Sequence, residues 1–194
     1  MTIDHDLIEQ LQQGDLQTLG ELYDRYRHLV YRVALAITGD HEAASDLLQD
    51  VFLRLFRFAD RIDPQRPLEP WLYRMTTNLS YSWVKRNRRW LFLEELSDWL
   101  VGPVKNTPAE LAEKHDDWEK VHEAVSALPL SQRGVMVLYY LNDLSIDEIS
   151  EILEVPEGTI KSRLHYGRLA LRRRLGLAGL AESDAFENLN YESS

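Results

Sequence analysis

The sequence contains no cysteine, only nine glycines and seven prolines in 194 residues, and no apolar run long enough to span a membrane. Without cysteine there is no disulfide framework, thiolate metal site or cysteine nucleophile, so we expect a reducing, cytoplasmic setting. A membrane span needs roughly 18 apolar residues, and the acidic N-terminal stretch MTIDHDLIEQLQQGD is unlike a signal peptide. We therefore expect no membrane insertion. Hydrophobic residues make up 44% of the chain, which excludes wholesale disorder.

The chain also lacks an overall positive charge, since 22 Lys and Arg against 32 Asp and Glu give a formal net charge of −10. Proteins that bind nucleic acid are usually basic, so the total argues against such a partner. The charge is segregated, however: residues 61–92 carry seven cations against two anions, and residues 157–175 carry six against one. Each segment is therefore +5, and the rest of the chain is −20. Two basic segments of this kind indicate two phosphate-facing surfaces on separate modules. Two solvated helix faces would give the same net charges.

Apolar residues recur at helical spacing through most of the sequence, and no segment alternates convincingly as a strand would. One amphipathic pattern runs from Leu16 to Ile37 and is closed by Gly39, and a later one begins near Pro70 and enters the first basic segment. The Gly-, Pro- and Asn-containing stretch at 102–108 is typical of a linker. The sequence therefore predicts an all-α protein of two small helical domains, at residues 1–92 and 116–178, with a flexible acidic linker at 93–115 and a disordered acidic tail at 179–194.

The best-defined motif is SIDEISEILEVPEGTIKSRLHYGRLALRRRL at 145–175. Ser145 and Glu148 have the spacing of a capping box, and Pro156 suits the first position of the next helix because its missing N–H would be unpaired there. Two short helices joined by a tight turn, the second one basic, predict a DNA-reading helix-turn-helix. A helical hairpin used only for packing is the alternative. The apolar residues expected to bury the second helix are Ile160, Leu164, Leu169 and Leu171.

This motif closely resembles the final DNA-binding region of the extracytoplasmic-function (group IV) bacterial sigma factors. Two earlier segments resemble the same family in the same order. DLLQDVFLRLFR at 46–57 is similar to the helix that grips the clamp of RNA polymerase, and PWLYRMTTNLSYSWVKRNRR at 70–89 to the segment that opens and reads the minus-ten promoter element. The resemblance covers about residues 5–176. It implies an alternative sigma factor that binds the clamp and flap of core RNA polymerase, recognises duplex and single-stranded promoter DNA, and is held inactive by an anti-sigma factor.

The resemblance also implies three sets of site residues. The polymerase-binding set is Asp46, Gln49, Asp50 and Leu53. Phe52 also stands at a family position for this contact, but the core is the favoured place for Phe52 and for Leu47, and the polar members are the better interface candidates. The minus-ten set is Asn78, Ser80, Tyr81, Trp83, Lys85, Arg86, Arg88 and Arg89. The minus-thirty-five set is Thr159, Lys161, Ser162, Arg163, His165, Tyr166 and Arg168. Many family members read R-A-R where this chain has Tyr166-Gly167-Arg168, so the family's usual promoter sequence is not carried over.

No catalytic or metal-binding constellation is recognisable, because the six histidines lack a nearby third donor and no phosphate-binding glycine loop occurs. We therefore predict a protein that is not an enzyme and needs no cofactor. The competing reading is a stand-alone helix-turn-helix transcriptional regulator, which would bind duplex DNA tightly without polymerase. An enzyme is the least favoured class.

Overall fold

A computed structural model of the protein describes residues 4–101, 121 and 123–176. Within these ranges the chain forms helices and no strand, which confirms the all-α prediction. The elements are α1 (His5–Gln12), α2 (Leu16–Thr38), α3 (His41–Arg57), a 3-10 turn (Ala59–Arg61), α4 (Glu69–Val101), α5 (Leu130–Leu141), α6 (Ile146–Leu153) and α7 (Glu157–Arg174). We call α1–α4 the first module and α5–α7 the second module.

Local signals set most of the helix ends. The Asp15 side chain accepts a 2.8 Å hydrogen bond from the backbone N–H of Gln17 at the start of α2. Gly39 ends α2 as the sequence predicts, in the left-handed conformation (φ 74°) that glycine adopts without strain. Helix α4 instead passes the predicted boundary at residue 92 and continues to Val101. Residues 102–115 of the predicted linker and the tail at 179–194 lie outside the described residues.

The core of the first module is built from aliphatic residues that α2, α3 and α4 turn towards one another. Leu22, Val30, Leu55 and Leu72 are fully buried there. Burying each side chain of this size contributes about 1.5–3 kcal/mol relative to leaving it in water. This packing fixes the direction in which the long helix α4 leaves the module.

A buried polar cluster fastens the N-terminus of the described chain to this core. The carboxylate of Asp4, itself buried, accepts hydrogen bonds from the Arg25 guanidinium and the Tyr26 hydroxyl. The Tyr26 hydroxyl also lies 3.2 Å from a carboxylate oxygen of Glu69, at the start of α4. Burial, together with the hydrogen bond to Asp4, raises the pKa of Tyr26 above its ordinary value. The cluster thus joins α1, α2 and α4.

The second module has the helix-turn-helix that the sequence predicts. Ile149 on α6 and Ile160 and Leu164 on α7 are buried, and Glu154 makes the turn in the left-handed conformation (φ 53°). Pro156 immediately precedes α7 rather than occupying its first helical position.

In α7 one residue departs from the prediction, and one glycine has a packing role. The prediction for Leu169 was wrong, because 37% of this residue is exposed. Gly167 is buried where α7 crosses α5, and a Cβ on it would lie 3.0 Å from Cγ of Met136. The glycine therefore permits a close helix approach, which offsets its low helix propensity.

A second hydrophobic cluster, which we call the shared core, spans both modules. One cluster contains Val33 and Ile37 near the end of α2, Tyr73 on α4, Leu128 just before α5, and Val135 on α5. The sequence predicts two modules joined by a flexible linker, and it contains no signal that the two modules pack against each other. The consequence of this packing is that α4 lies directly against the helix-turn-helix.

Candidate polymerase and DNA surfaces

The predicted polymerase-binding residues lie on one exposed side of α3. Asp46 and Gln49 are exposed, and Leu53, one turn further along, keeps 64% of its surface in contact with solvent. Asp50 is half-buried and accepts a 3.1 Å hydrogen bond from Nε of Arg54. We call Asp46, Gln49, Asp50 and Leu53 the α3 surface.

Phe52, next to Leu53 in sequence, points the other way. Only 4% of Phe52 is exposed, and its ring packs edge-on against Tyr23 with 5.0 Å between the centroids. Leu47 is buried as well. In this structure Phe52 is therefore a core residue and not part of the exposed side of α3.

The predicted minus-ten residues divide between the surface and the interior of α4. Asn78, Lys85 and Arg86 are exposed, whereas Ser80 is fully buried. Trp83 is half-buried and packs on a small cluster formed by α2 and α3. Arg88 and Arg89 belong to α4, and their side chains lie outside the described residues.

Tyr81 lies between the two modules. Its side chain packs on the shared core and reaches Gly134 on α5, where no Cβ would fit beside the phenol ring. Within the described part of the chain the buried Tyr81 hydroxyl has no hydrogen-bond partner, and the same holds for the Ser80 hydroxyl. Burial raises the pKa of Tyr81 to about 12, against the opposing effect of Arg163 and Arg133.

The minus-thirty-five set is mostly on the outer side of α7. Lys161 is exposed and its Nζ lies 3.2 Å from a carboxylate oxygen of Glu157, one turn back. The Ser162 hydroxyl donates a 2.9 Å hydrogen bond to the carbonyl of Gly158. His165 and Tyr166 are both exposed, with 5.2 Å between their ring centroids. With Thr159, also exposed, these residues form what we call the α7 surface: Thr159, Lys161, Ser162, His165 and Tyr166.

The two arginines of this set lie apart from the α7 surface. Nε of Arg168 donates a hydrogen bond to the Tyr140 hydroxyl, and its guanidinium lies 5.5 Å from the ring centroids of Tyr139 and Tyr140. These contacts restrain the guanidinium by cation–π attraction as well as by the hydrogen bond. Arg163 faces the first module.

A cleft of about 430 Å³ is lined by residues of both α4 and the second module. Asn78, Tyr81 and Lys85, spaced at i, i+3 and i+7 on α4, line one side of it, and Arg163 lines the other. The remaining lining residues are Leu130, Ser131, Leu153 and Val155. Residues that the sequence assigns to two different DNA elements therefore meet at one cleft, a juxtaposition that nothing in the local sequence pattern indicates.

Among the described residues, one group of side chains has the spacing of possible metal ligands. His5, Asp6 and Glu9 have donor atoms within 4.8 Å of one another. The Nδ1 atom of His5 is within 3.2 Å of the Pro64 carbonyl, so the ring serves to hold α1 on the loop that precedes α4. Among the described helices, none combines the length and the apolar character that crossing a membrane requires.

Comparison with known proteins agrees with this two-module division. Residues 22–90 match the sequence profile of sigma-70 region 2, and residues 118–171 match that of sigma-70 region 4. The chain is 30% identical over 176 residues to the ECF RNA polymerase sigma factor SigW of Bacillus subtilis (strain 168), an alignment that covers 87% of this chain and 94% of SigW.

Two solved structures resemble the fold over most of its length. One is CnrH in complex with the cytosolic domain of CnrY, with a TM-score of 0.67 at 20% identity over 90% of this chain and 97% of CnrH. The other is the sigma factor RpoE in complex with the anti-sigma factor NepR from Bartonella quintana, with a TM-score of 0.63 at 21% identity over 84% and 99% of the two chains. The sequence matches to both sigma regions, in order and across nearly the full length of a relative, place this chain in the ECF family of RNA polymerase sigma factors.

Proposed function

We propose that the protein is an alternative sigma factor, the subunit that gives core bacterial RNA polymerase its promoter specificity. The observation that carries the proposal is the pairing of both sigma regions on one chain, with exposed cations on α4 in the first region and on α7 in the second. The α3 surface binds the polymerase clamp, α4 captures the melted minus-ten strand, and the α7 surface reads the minus-thirty-five duplex. This work is binding rather than catalysis, and it takes place in the cytoplasm, where polymerase and DNA meet.

The chemistry of α4 supports capture of a single strand. A side-chain amide such as that of Asn78 pairs with the edge of an unstacked base, and cations such as Lys85 and Arg86 hold the adjoining phosphates. Both kinds of group are exposed here. Melting then needs no nucleotide hydrolysis, because the binding free energy of the captured bases offsets the cost of unpairing them.

The chemistry of α7 supports duplex reading. Lys161, Ser162 and His165 lie close together on the α7 surface near the start of the helix, which is the part that enters the major groove in helix-turn-helix proteins. A lysine donates hydrogen bonds to the acceptor atoms of guanine, and a serine hydroxyl both donates and accepts hydrogen bonds at base edges. The arginine run at the end of α7 provides charge for flanking phosphates.

We also propose an anti-sigma factor as the partner that holds the protein inactive. The support is the family itself, together with the RpoE–NepR complex among the structures of similar fold. Co-expression with its anti-sigma factor should abolish binding of the protein to core polymerase, and unchanged binding would contradict this proposal.

The polymerase contact is tested by a matched pair of leucines. Leu53 on α3 and Leu16 on α2 are 64% and 65% exposed, so neither substitution removes much core packing. Leu53→Asp is expected to weaken association with core polymerase by tenfold or more, about 1.4 kcal/mol, because a charge would replace an apolar contact. Leu16→Asp is the control and should leave the affinity unchanged. An equal loss in both variants would refute the α3 surface as the clamp contact.

The minus-ten role is tested at Asn78. Asn78→Ala is expected to reduce open-complex formation, measured by permanganate reactivity of unpaired thymines, while sparing association with core polymerase. Because Asn78 is exposed, the substitution should not change the thermal unfolding of the protein. Parallel losses of polymerase binding and of strand opening would make Asn78 a structural residue and would remove it from the minus-ten set.

A further inference from the structure

We propose that the outer side of α7 is a docking surface for the acidic tail of this same chain, residues 177–194, and that the docked tail competes there with DNA. The docking follows from the exposure and charge of α7 and from the sequence of the tail. The competition rests on the proposed function, because that function makes α7 the helix that reads DNA.

A stripe of residues runs along α7 on the side opposite its buried residues, which are Ile160, Leu164 and Gly167. The members of the stripe are spaced by four, three and four residues, which places them on one side of a helix: Ser162, Tyr166, Leu169 and Arg173. We call these four residues the outer stripe. Tyr166 and Leu169 are 58% and 37% exposed, so they form an apolar patch that the described residues leave uncovered.

The C-terminal end of α7 is basic and lacks acidic partners. Arg172, Arg173 and Arg174 fill its last turn, and none of their side chains forms an ion pair or a hydrogen bond with another described residue. The helix dipole favours cations at this end, but it amounts to only about half a negative charge against three positive ones. These arginines therefore have room for an anionic partner in the free protein as well as in a DNA complex.

The tail has the groups that this surface lacks. It contains no Lys or Arg and carries four carboxylates: Glu182, Asp184, Glu187 and Glu192. Large apolar side chains are interspersed with them: Phe186, Leu189 and Tyr191. The carboxylates complement the arginines of α7, and the apolar side chains suit the exposed Tyr166 and Leu169.

The tail is also near enough to reach the outer stripe. Gly176 follows α7 in the left-handed conformation (φ 68°), and a glycine at this position commonly ends a helix and turns the chain away from its axis. Phe186 is ten residues after Gly176, and Tyr166 is ten residues before it. The helical segment measures about 15 Å at 1.5 Å per residue, whereas ten extended residues span about 33 Å. Phe186 can therefore return to Tyr166 with chain to spare.

Tethering makes such a contact effective, although each exposed ion pair is weak. A short flexible connection gives the tail an effective concentration on the order of millimolar at α7. DNA competes for the same groups, since Ser162 and Tyr166 belong both to the outer stripe and to the α7 surface, and the arginines suit phosphates. The docked tail therefore keeps the free protein from binding DNA at random, and a promoter held by polymerase displaces it.

A spin label tests the docking itself. The chain has no cysteine, so Asn188→Cys in the full chain carries a single nitroxide beside the apolar residues of the tail. The label should broaden the amide NMR signals of Tyr166 and Leu169. It should leave the signal of Gln13, an exposed residue just after α1, unchanged.

Two further labelled proteins change only the tail. One adds Phe186→Ser and Leu189→Ser, and the other neutralises the four carboxylates and is called the neutral tail: Glu182→Gln, Asp184→Asn, Glu187→Gln and Glu192→Gln. Both should restore sharp signals at Tyr166 and Leu169. A sharp Tyr166 signal in the labelled parent, or equal broadening in all three proteins, would overturn the docking, because tethering without docking is the same in all three.

DNA binding by the free protein tests the competition. The control for the neutral tail changes four exposed carboxylates of the first module, so that the net charge changes by the same amount: Asp6→Asn, Glu21→Gln, Glu42→Gln and Asp60→Asn. In fluorescence anisotropy with a short duplex at fixed salt, the neutral tail should bind about fivefold or more tightly than this control. The variant with Phe186→Ser and Leu189→Ser keeps the parent's charge and should also bind more tightly than the parent. Equal affinities of the neutral tail and its control would overturn the competition.

The docking and the proposed function fail separately. If run-off transcription with core polymerase gives no transcript while the broadening at Tyr166 persists, the proposed function is wrong and the docking stands. Transcripts from the parent, with no broadening at Tyr166, would leave the function intact and refute the docking.

Discussion

At the residue scale, neighbouring side chains on one helix have opposite roles, and helical geometry accounts for this. Phe52 and Leu53 are adjacent, yet one is buried and the other is exposed, because successive residues of an α-helix are turned by about 100° around its axis. The sequence already predicts Leu53 for the interface and leaves Phe52 open between interface and core. Periodicity alone is sufficient to separate the two once the core side of α3 is known.

Ser80 and Tyr81 illustrate what periodicity does not supply. Their positions follow Asn78 directly, and the family resemblance groups all three as DNA contacts. The structure buries Ser80 completely, on the side of α4 that also carries the buried Leu72, Thr76 and Val84, but the polar Thr76 and Ser80 hide this side from a search for apolar periodicity. Tyr81 packs against Gly134, more than fifty residues later in the chain, and such a contact leaves no trace in the local pattern.

Base reading by the α7 surface is testable at Lys161. If Lys161 reads a base, Lys161→Ala should weaken binding of the polymerase complex to its preferred upstream element by about 1–3 kcal/mol, with little effect on unrelated sequences. Arg27→Ala is the control, because Arg27 is also an exposed cation paired with an acid one turn back, at 3.5 Å from Asp24, but it lies on α2. Competition binding with a panel of upstream sequences measures the difference. A uniform loss over all sequences would identify Lys161 as a phosphate contact instead.

At the element scale, the helix-turn-helix is the part of the fold that the sequence predicts best. Its start signal is local: the Ser145 hydroxyl accepts from the backbone N–H of Glu148, and the Glu148 carboxylate accepts from that of Ser145 at 2.8 Å. The wrong prediction for Leu169 has an equally physical cause. The buried positions of α7 are Ile160, Leu164 and Gly167, and Leu169 is turned by about 200° from Gly167, which places it on the opposite side of the helix.

The capping box makes a prediction about pH. Hydrogen bonds from Ser145, from its backbone N–H first and its hydroxyl second, lower the pKa of Glu148 below its ordinary value of 4.5. A carboxyl whose pKa is lowered on folding adds stability above its unfolded-state pKa and loses that contribution as the pH falls through its folded-state pKa. The stability difference between the parent and Glu148→Ala, measured by urea unfolding, should therefore be largest near neutral pH and shrink in acid.

The control for this prediction is Glu151→Ala, on the same helix but outside the cap and exposed. Its effect on unfolding should be small and should not follow the same pH dependence. Ser145→Ala removes the other half of the box and should cost about 0.5–2 kcal/mol at neutral pH. A Glu148→Ala difference that stays constant from neutral to acid pH would mean that the carboxylate does not act through the cap.

At the scale of the whole molecule, the two modules were predictable and their arrangement was not. The two modules are recognisable in the sequence because helical periodicity and the two basic segments are both properties of residues that lie near one another in the chain. The shared core joins Val33 and Ile37 to Leu128 and Val135, about one hundred residues away, and such pairings depend on the complete fold. The net charge of −10 conceals a segregation that is visible in the sequence, since the cations are concentrated in residues 61–92 and 157–175, and Lys85 and Arg163 from these two segments line one cleft in the structure.

The central claim is that the protein acts as the specificity subunit of RNA polymerase and not as an independent DNA-binding regulator. Run-off transcription with purified core polymerase, on a pool of promoter-length fragments from the source genome, tests it most directly. We predict transcripts with defined start sites only when core polymerase and this protein are both present, and weak, salt-sensitive DNA binding by the protein alone. No transcript from any fragment, together with tight duplex binding by the protein without polymerase, would contradict the account.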